Sequence, residues 1–147
     1  MTNAYQVYTA ARQLLEGYAA AMQPLCRREG LAPNGVDILL FLANNAGLDT
    51  ARDVCTYRGL KPGIVSFHVE KLVQEGYLER RAVAGDRRKT QLLCTEKAQP
   101  VIARGREVQE RFFARLLDNT DAPTREAFFR TMEVIGKNLD EILKENG

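Results

Sequence analysis

The chain has 147 residues, a length that fits one domain, and 45% of them are hydrophobic while 27% are charged. These proportions are typical of a folded globular protein and not of a disordered one. The N-terminus has no basic segment that leads into an apolar run, and the longest apolar run, residues 38–43, is far shorter than the roughly 20 residues of a membrane helix. We therefore predict no signal peptide, no membrane span and a cytoplasmic location.

The residue types argue against metal binding and catalysis. The three cysteines, Cys26, Cys55 and Cys94, are odd in number and widely spaced, which is not a disulfide framework. His68 is the only histidine, so a zinc site is not expected. A glycine-rich phosphate loop is lacking, and His68 has no nucleophile at a suitable spacing. We predict no metal, no cofactor and no enzymatic activity.

Basic side chains are concentrated in the middle third of the chain. Residues 51–95 carry nine basic and five acidic side chains, a net charge of +4, whereas residues 1–50 and 96–147 each carry a net charge of −1. A localised positive patch is typical of a protein that binds a polyanion. The middle third is therefore the candidate region for contact with nucleic acid.

Heptad-like apolar spacing predicts a long helix at each end of the chain. Apolar residues recur there in steps of four and three, and Gly30 is suited to end the first helix. Such stripes pack against other helices, and each large apolar residue gains about 1.5–3 kcal/mol on burial. The stripes comprise Ala4, Tyr8, Ala11, Leu15, Tyr18, Met22 and Leu25 in the first helix, and Phe128, Met132, Ile135, Leu139 and Ile142 in the last.

Three shorter helices are predicted after the first one. The second helix follows Pro33, the third begins at a capping box formed by Thr50 and Asp53, and the fourth begins at Pro62. The third and fourth helices are separated by a tight turn that contains a glycine. This arrangement is a helix-turn-helix pattern.

A hairpin and a fifth helix are predicted next. Residues 78–83 and 89–94 have strand-like patterns, and residues 84–87 form the turn between them. Three consecutive basic residues, 87–89, lie at its tip. Thr95 is the predicted N-cap of the fifth helix. The predicted fold is mainly α with a small β-hairpin wing: a winged helix-turn-helix of six helices.

The compact middle is too small to cover both striped helices along their length. A second copy of the chain can cover them, with the terminal helices of the two subunits packed around a two-fold axis. The predicted interface residues are Tyr8, Leu15, Phe128, Met132, Ile135, Leu139 and Ile142. Two recognition helices related in this way enter successive major grooves when they lie about 34 Å apart, so a palindromic DNA site is expected.

The order of these elements and four short motifs resemble the MarR family of winged-helix repressors and activators. The motifs are Leu60-Lys61-Pro62-Gly63-Ile64-Val65-Ser66, Gly76-Tyr77-Leu78, Gly85-Asp86-Arg87-Arg88 and Leu92-Leu93-Cys94-Thr95-Glu96-Lys97-Ala98. The resemblance covers essentially the whole chain. It implies one domain over residues 1–147, in which residues 31–95 form the DNA-binding lobe and residues 1–30 and 96–147 form dimerisation helices.

The resemblance also implies roles for single residues in binding double-stranded DNA. Ser66 matches a small hydroxyl residue that faces DNA, and Phe67 stands where many members carry a basic residue that reads a base edge. Arg88 matches the wing arginine that enters the minor groove, and Asp86 the acidic residue that orients it. The predicted DNA-binding residues are Lys61, Pro62, Gly63, Ser66, Phe67, Lys71, Asp86, Arg87, Arg88 and Lys89.

Phe67 departs from the family pattern because its ring cannot donate a hydrogen bond to guanine. Two interpretations stay open. Its ring contacts a thymine methyl group, or it forms part of the wall of an interdomain cavity.

The family also implies regulation by a ligand. Its members often hold a small, aromatic or anionic ligand between the dimerisation helices and the DNA-binding lobe. Tyr18, Met22, Phe41 and Arg52 are the candidate pocket residues, although for the first two the core or the dimer interface is the favoured interpretation. We expect a repressor that such a ligand releases from DNA. The alternative is a redox-sensing regulator in which one cysteine is the switch.

Overall fold

The computed structural model describes residues 2–147, which form six α-helices and one two-stranded antiparallel hairpin. The elements are α1 (Asn3–Glu29), α2 (Pro33–Asn44), α3 (Ala51–Arg58), α4 (Pro62–Gln74), β1 (Leu78–Val83), β2 (Asp86–Cys94), a 3-10 turn (Glu96–Ala98), α5 (Gln99–Leu116) and α6 (Ala122–Glu145). The predicted fold class is confirmed. The chain divides into two compact units, one that ends at Phe112 and one that spans Phe113–Gly147.

The helix boundaries follow from local chemistry that the sequence predicts. Asp53 N donates to Thr50 Oγ1 (3.1 Å), and Thr50 N donates to Asp53 Oδ2 (3.0 Å), which is the predicted capping box of α3. Gly30, at φ +66°, ends α1 in the left-handed conformation that glycine adopts without strain. Pro62 is the first residue of α4, where its missing N–H costs no hydrogen bond.

The core of the first unit is built around α2. Ile38 and Leu39 of this helix have no exposed surface, and α2 contacts α1, α3, α4 and β2. Helix α4 packs against this core through Val65, Val69 and Leu72, whose spacing places them on one face of the helix. The packing of these three residues determines which side of α4 faces solvent.

Hydrogen bonds hold the hairpin against the helices. Leu92 N donates to the carbonyl oxygen of Asp49 (2.7 Å), and Gln91 Nε2 donates to the carboxylate of the same aspartate (2.7 Å). On the other strand, the Arg80 guanidinium donates to the Glu70 carboxylate of α4 (2.7 Å). The wing is therefore anchored both to the segment before α3 and to α4.

The start of α5 differs from the prediction. Thr95 was expected to cap this helix, but its hydroxyl donates to the carbonyl oxygen of Gly76 (2.6 Å), and a 3-10 turn, Glu96–Ala98, comes first. Helix α5 begins at Gln99. Pro100 consequently lies in the first turn of α5, where a proline is tolerated.

The apolar stripe of α1 does not have one uniform environment. Met22 and Leu25 are buried in the core of the first unit and Tyr18 is half-buried, whereas Tyr8 and Leu15 are 71% and 72% exposed. The C-terminal half of the stripe thus belongs to the core. The N-terminal half lies open to solvent.

The second unit exposes the apolar stripe of α6. No residue of this helix is buried, and its five stripe residues are between 40% and 52% exposed: Phe128, Met132, Ile135, Leu139 and Ile142. Asp121 is the N-cap of this helix, and its carboxylate accepts a hydrogen bond from Thr124 N (2.9 Å). The dimer interface remains a prediction.

Candidate nucleic-acid interface

The predicted contact residues of α4 are open to solvent. Phe67 is 64% exposed, and Ile64, one turn earlier, is 41% exposed. Lys61 is the N-cap residue of α4, and Lys71 lies near the end of the helix; both side chains are exposed. The predicted residues Pro62, Gly63 and Ser66 are exposed as well.

The turn of the wing is tighter than predicted. It consists of Ala84 and Gly85 only, and β2 already begins at Asp86. Gly85 adopts φ +82°, a conformation that is strained for residues with a side chain. The prediction of a turn over residues 84–87 was wrong because it assigned Asp86 and Arg87, the first two residues of β2, to the turn.

The basic residues of the wing lie in a bulge. Ala82 pairs with Thr90, whereas the next residue of β1, Val83, pairs with Asp86. Residues 87–89 therefore have no partner on β1. Their side chains need not alternate between the two faces of the hairpin, as they do in a regular strand. All three of these side chains, two arginines and a lysine, are exposed.

Asp86 holds Arg88 through the main chain. Its Oδ1 accepts a hydrogen bond from the backbone N–H of Arg88 at 2.9 Å. The family resemblance implied that this carboxylate orients the arginine side chain. In the structure its bond fixes the backbone of the bulge, and thus the point from which the guanidinium extends.

A cavity of about 440 Å³ lies between α3, α4 and the hairpin. Ser66 and Arg52 belong to its wall, so Ser66 is directed towards the hairpin side of α4. The wall contains none of Tyr18, Met22 and Phe41, so the cavity gathers only one of the four predicted pocket residues. Its lining is Ala51, Arg52, Cys55, Pro62, Ser66, Val69, Arg80, Thr90 and Leu92.

The other three predicted pocket residues belong to the core of the first unit. Met22 and Phe41 are buried there, and Tyr18 packs against this core. The ring of Phe41 stacks on that of Tyr57 with centroids 6.2 Å apart. Arg52, on the first turn of α3, is exposed and lies outside this cluster.

A chain of hydrogen bonds joins α1, α5 and α2 next to these residues. Gln109 Nε2 donates to the Tyr18 hydroxyl (2.8 Å), Asn44 Nδ2 donates to Gln109 Oε1 (3.1 Å), and Arg106 Nε donates to Asn44 Oδ1 (2.9 Å). Burial is the main cause that raises the pKa of Tyr18, which therefore stays protonated at neutral pH. Sequence patterns did not indicate this network, because its partners are 62 to 91 residues apart.

Comparison with known proteins agrees with the winged helix-turn-helix fold described above. Residues 29–89, which run from the end of α1 into β2, match the model of the MarR family. The matched residues make up 61 of the 147 residues of the chain. Its fold is that of MarR-family transcriptional regulators.

Solved structures of MarR-type regulators are similar over nearly the whole chain. A MarR transcriptional regulator from Methanosarcina mazei Go1 has a TM-score of 0.80 and 20% identity, covering 94% of this chain and 99% of that one. The transcriptional regulator PA3341 has a TM-score of 0.79 and 25% identity, with coverages of 92% and 98%. CouR from Rhodococcus jostii RHA1, solved with p-coumaroyl-CoA bound, has a TM-score of 0.69 and 16% identity, with coverages of 91% and 91%. A search of curated proteins found no match.

The three cysteines of the chain are free thiols. Cys26 is buried, and burial raises its pKa. Burial also raises the pKa of Cys94, whose Sγ lies 3.8 Å from the carbonyl oxygen of Leu39. Because the thiolate is the reactive form, these environments slow oxidation of both residues. Cys55 is half-buried and lines the cavity beside α4.

Over residues 2–147, the histidine, cysteine and acidic side chains include no group of three or more placed to hold a metal ion. Over the same residues, no helix is both long enough and apolar enough to cross a membrane.

Proposed function

We propose that the chain is a transcriptional regulator that binds double-stranded DNA as a homodimer, with α4 in the major groove and the wing in the adjacent minor groove. The observation that carries this proposal is the bulge of β2, where Arg87, Arg88 and Lys89 are all exposed. Cationic side chains neutralise phosphates, and an arginine is attracted to the strong negative potential of a narrow minor groove. Lys61 and Lys71 add positive charge at the two ends of α4.

The proposed dimer uses the terminal helices of two identical chains. The stripe of α6 is about half exposed along its length, and Tyr8 and Leu15 of α1 are more exposed still. Burial of such residues against a second copy is strongly favourable. A two-fold dimer also supplies a second α4, so its DNA site is a palindrome with half-sites about ten base pairs apart.

Replacing Arg88 tests DNA binding. Arg88→Ala removes the cation without touching the core, so we expect duplex affinity to fall at least tenfold at fixed salt while the fold and the dimer persist. The slope of log affinity against log salt should become less steep by about 0.9 for a lost phosphate contact. Fluorescence anisotropy with duplexes selected from the source genome measures both quantities.

A matched charge control makes this experiment specific. Arg111→Ala removes an equal charge from α5, where the arginine side chain is 74% exposed and lies 4.0 Å from Glu107. It should leave duplex affinity nearly unchanged. Equal affinities of wild type and Arg88→Ala would contradict the proposal.

We further propose that the chain is a repressor and that a small aromatic or anionic ligand releases it from DNA. Support comes from CouR, a similar structure solved with p-coumaroyl-CoA, and from the two candidate locations, the cavity at Arg52 and the core around Tyr18 and Phe41. The ligand would bind more tightly to a form of the dimer in which the spacing of the two α4 helices does not fit DNA. It would then lower the affinity for DNA by the ratio of its own affinities for the two forms.

Release by aromatic acids and acyl-CoA thioesters can be screened by anisotropy on the selected duplex. Arg52→Ala should abolish release if the cavity holds the ligand, and Phe41→Leu should reduce it if the core does. In vitro transcription from the selected promoter should fall when the protein is added and recover with the releasing compound. An increase in transcription on adding the protein would contradict repression.

A further inference from the structure

Phe67 lies at the centre of the outward face of α4. With 3.6 residues per turn, its position is almost opposite the buried face formed by Val65, Val69 and Leu72. The ring is 64% exposed and meets the ring of His68 edge to face, with centroids 5.1 Å apart. A molecule that approaches the exposed side of α4 therefore contacts the phenyl ring of Phe67 first.

Of the polar side chains around Phe67, Glu70 is bonded within the protein and Ser66 is directed elsewhere, whereas Lys71 is exposed one turn further along the helix. The carboxylate of Glu70 accepts hydrogen bonds from Arg80 (2.7 Å) and from Gln74 Nε2 (3.3 Å). Ser66 lies in the wall of the cavity on the hairpin side. Helix α4 contains no arginine or asparagine, and its single glutamine is its last residue, so it lacks a central side chain for a bidentate hydrogen bond to a base.

The outward face is apolar but its surroundings are cationic. Ile64 and Phe67 are three residues apart and so share a helix face, both exposed. Lys61 precedes them, and residues 87–89 supply three exposed cations on the wing. This charge is complementary to a polyanion and not to an apolar protein surface. The apolar feature that base edges offer in the major groove of a duplex is the 5-methyl group of thymine.

We infer that Phe67 reads thymine 5-methyl groups in the major groove, so that the recognition helix selects its half-site through apolar contact. This inference rests on the proposed DNA-binding function. The phenyl ring covers the methyl group of a thymine that faces the middle of α4, and Ile64 extends the apolar surface by one turn. The operator then carries thymine at equivalent positions in its two half-sites.

Deoxyuridine substitution tests the inference directly, because it removes the methyl group and keeps every hydrogen-bonding atom of the base. The strongest duplex selected by the wild-type chain from random DNA is synthesised with deoxyuridine in place of each thymidine in turn. We expect one or two positions per half-site where affinity falls about fourfold, the effect of one buried methyl group, and roughly 15-fold when both half-sites are changed.

Phe67 variants connect this loss to the ring. Phe67→Ala should weaken binding to the thymidine duplex and bind thymidine and deoxyuridine duplexes equally, whereas Phe67→Leu should keep part of the discrimination. Arg88→Ala is the matched control, since it should weaken both duplexes by the same factor and leave their ratio unchanged. Circular dichroism checks that each variant folds.

The outcomes distinguish the inference from the function on which it rests. If the wild-type chain binds no duplex at low salt, the proposed function fails. If it binds duplexes but tolerates deoxyuridine at every position, DNA binding stands and the methyl readout is overturned. If Phe67→Ala retains the full discrimination, another residue reads the methyl group and the assignment to Phe67 is overturned.

Discussion

The hydroxyl of Tyr18 accepts a 2.8 Å hydrogen bond from Nε2 of Gln109, which ties α1 to α5. The amide of Gln109 accepts a further bond from Asn44, at the C-terminal end of α2. Helix α2 in turn forms the centre of the core on which α4 packs. A displacement of α1 against α5 must therefore stretch this chain of bonds or move α2 with it.

Removing the Tyr18 hydroxyl should destabilise the protein. Tyr18→Phe leaves the half-buried amide of Gln109 without its acceptor, and an unsatisfied polar group of this kind costs about 1–3 kcal/mol. Chemical denaturation with circular dichroism detection measures the change. Tyr5→Phe is the control on the same helix, because Tyr5 is 67% exposed, and it should change the free energy of unfolding by less than about 0.5 kcal/mol. Equal effects of the two variants would show that the Gln109 bond contributes nothing.

Gly105 should not tolerate even one added methyl group. A Cβ at this position would lie 2.7 Å from Cδ2 of Leu40, which is itself only 2% exposed and has little room to move. Gly105→Ala should therefore lower the free energy of unfolding by about 1–3 kcal/mol, despite the better helix propensity of alanine. Gly17→Ala is the control, since its Cβ would meet Phe112 at an ordinary 3.5 Å. A Gly105→Ala variant as stable as wild type would mean that α5 shifts freely on α2.

The predictions from sequence succeeded where the cause is local. The capping box of Thr50 and Asp53, and the start of α4 at Pro62, depend on residues a few positions apart, so their spacing alone indicates the element. The pairing register of the wing could not be predicted, because it depends on which residues of β1 and β2 pair with each other, and the pattern within each strand does not determine that. Arg52 was grouped with Tyr18 from the family pattern, yet it lies at the cavity beside α4.

A charge in the stripe of α6 should separate the proposed dimer. Leu139 is 49% exposed, and Leu139→Glu would force a carboxylate into an apolar interface between two copies. We expect a monomer by sedimentation velocity at micromolar concentration, and a corresponding loss of DNA affinity. Asp140→Lys also changes charge on α6 but lies beside the stripe, so it should remain dimeric. A wild-type chain that sediments as a monomer would contradict the dimer itself.

Cys26 and Cys94 should react slowly in the folded protein. Burial raises the pKa of both thiols, so little thiolate is present at pH 7.5. Alkylation by iodoacetamide followed by mass spectrometry should modify these two residues mainly after unfolding. Peroxide should therefore oxidise neither residue quickly, and DNA binding should not change as a result. The redox-sensing alternative would instead be favoured if Cys26 or Cys94 were modified rapidly and peroxide released the DNA. A serine substitution at that cysteine should then prevent the release.

His68 should make the protein less stable in mild acid. Its pKa is lowered by burial and by the charge of Lys71, so the folded state binds a proton less readily than the unfolded chain. At a pH well above 6.5, neither state is protonated at His68 and the difference is absent. As the pH falls through the ordinary pKa of about 6.5, the unfolded chain takes up protons first, and stability declines until the folded-state pKa is passed. The free energy of unfolding should thus fall between pH 7.5 and 5 more steeply for wild type than for His68→Gln. Parallel pH profiles of the two proteins would exclude this contribution of His68.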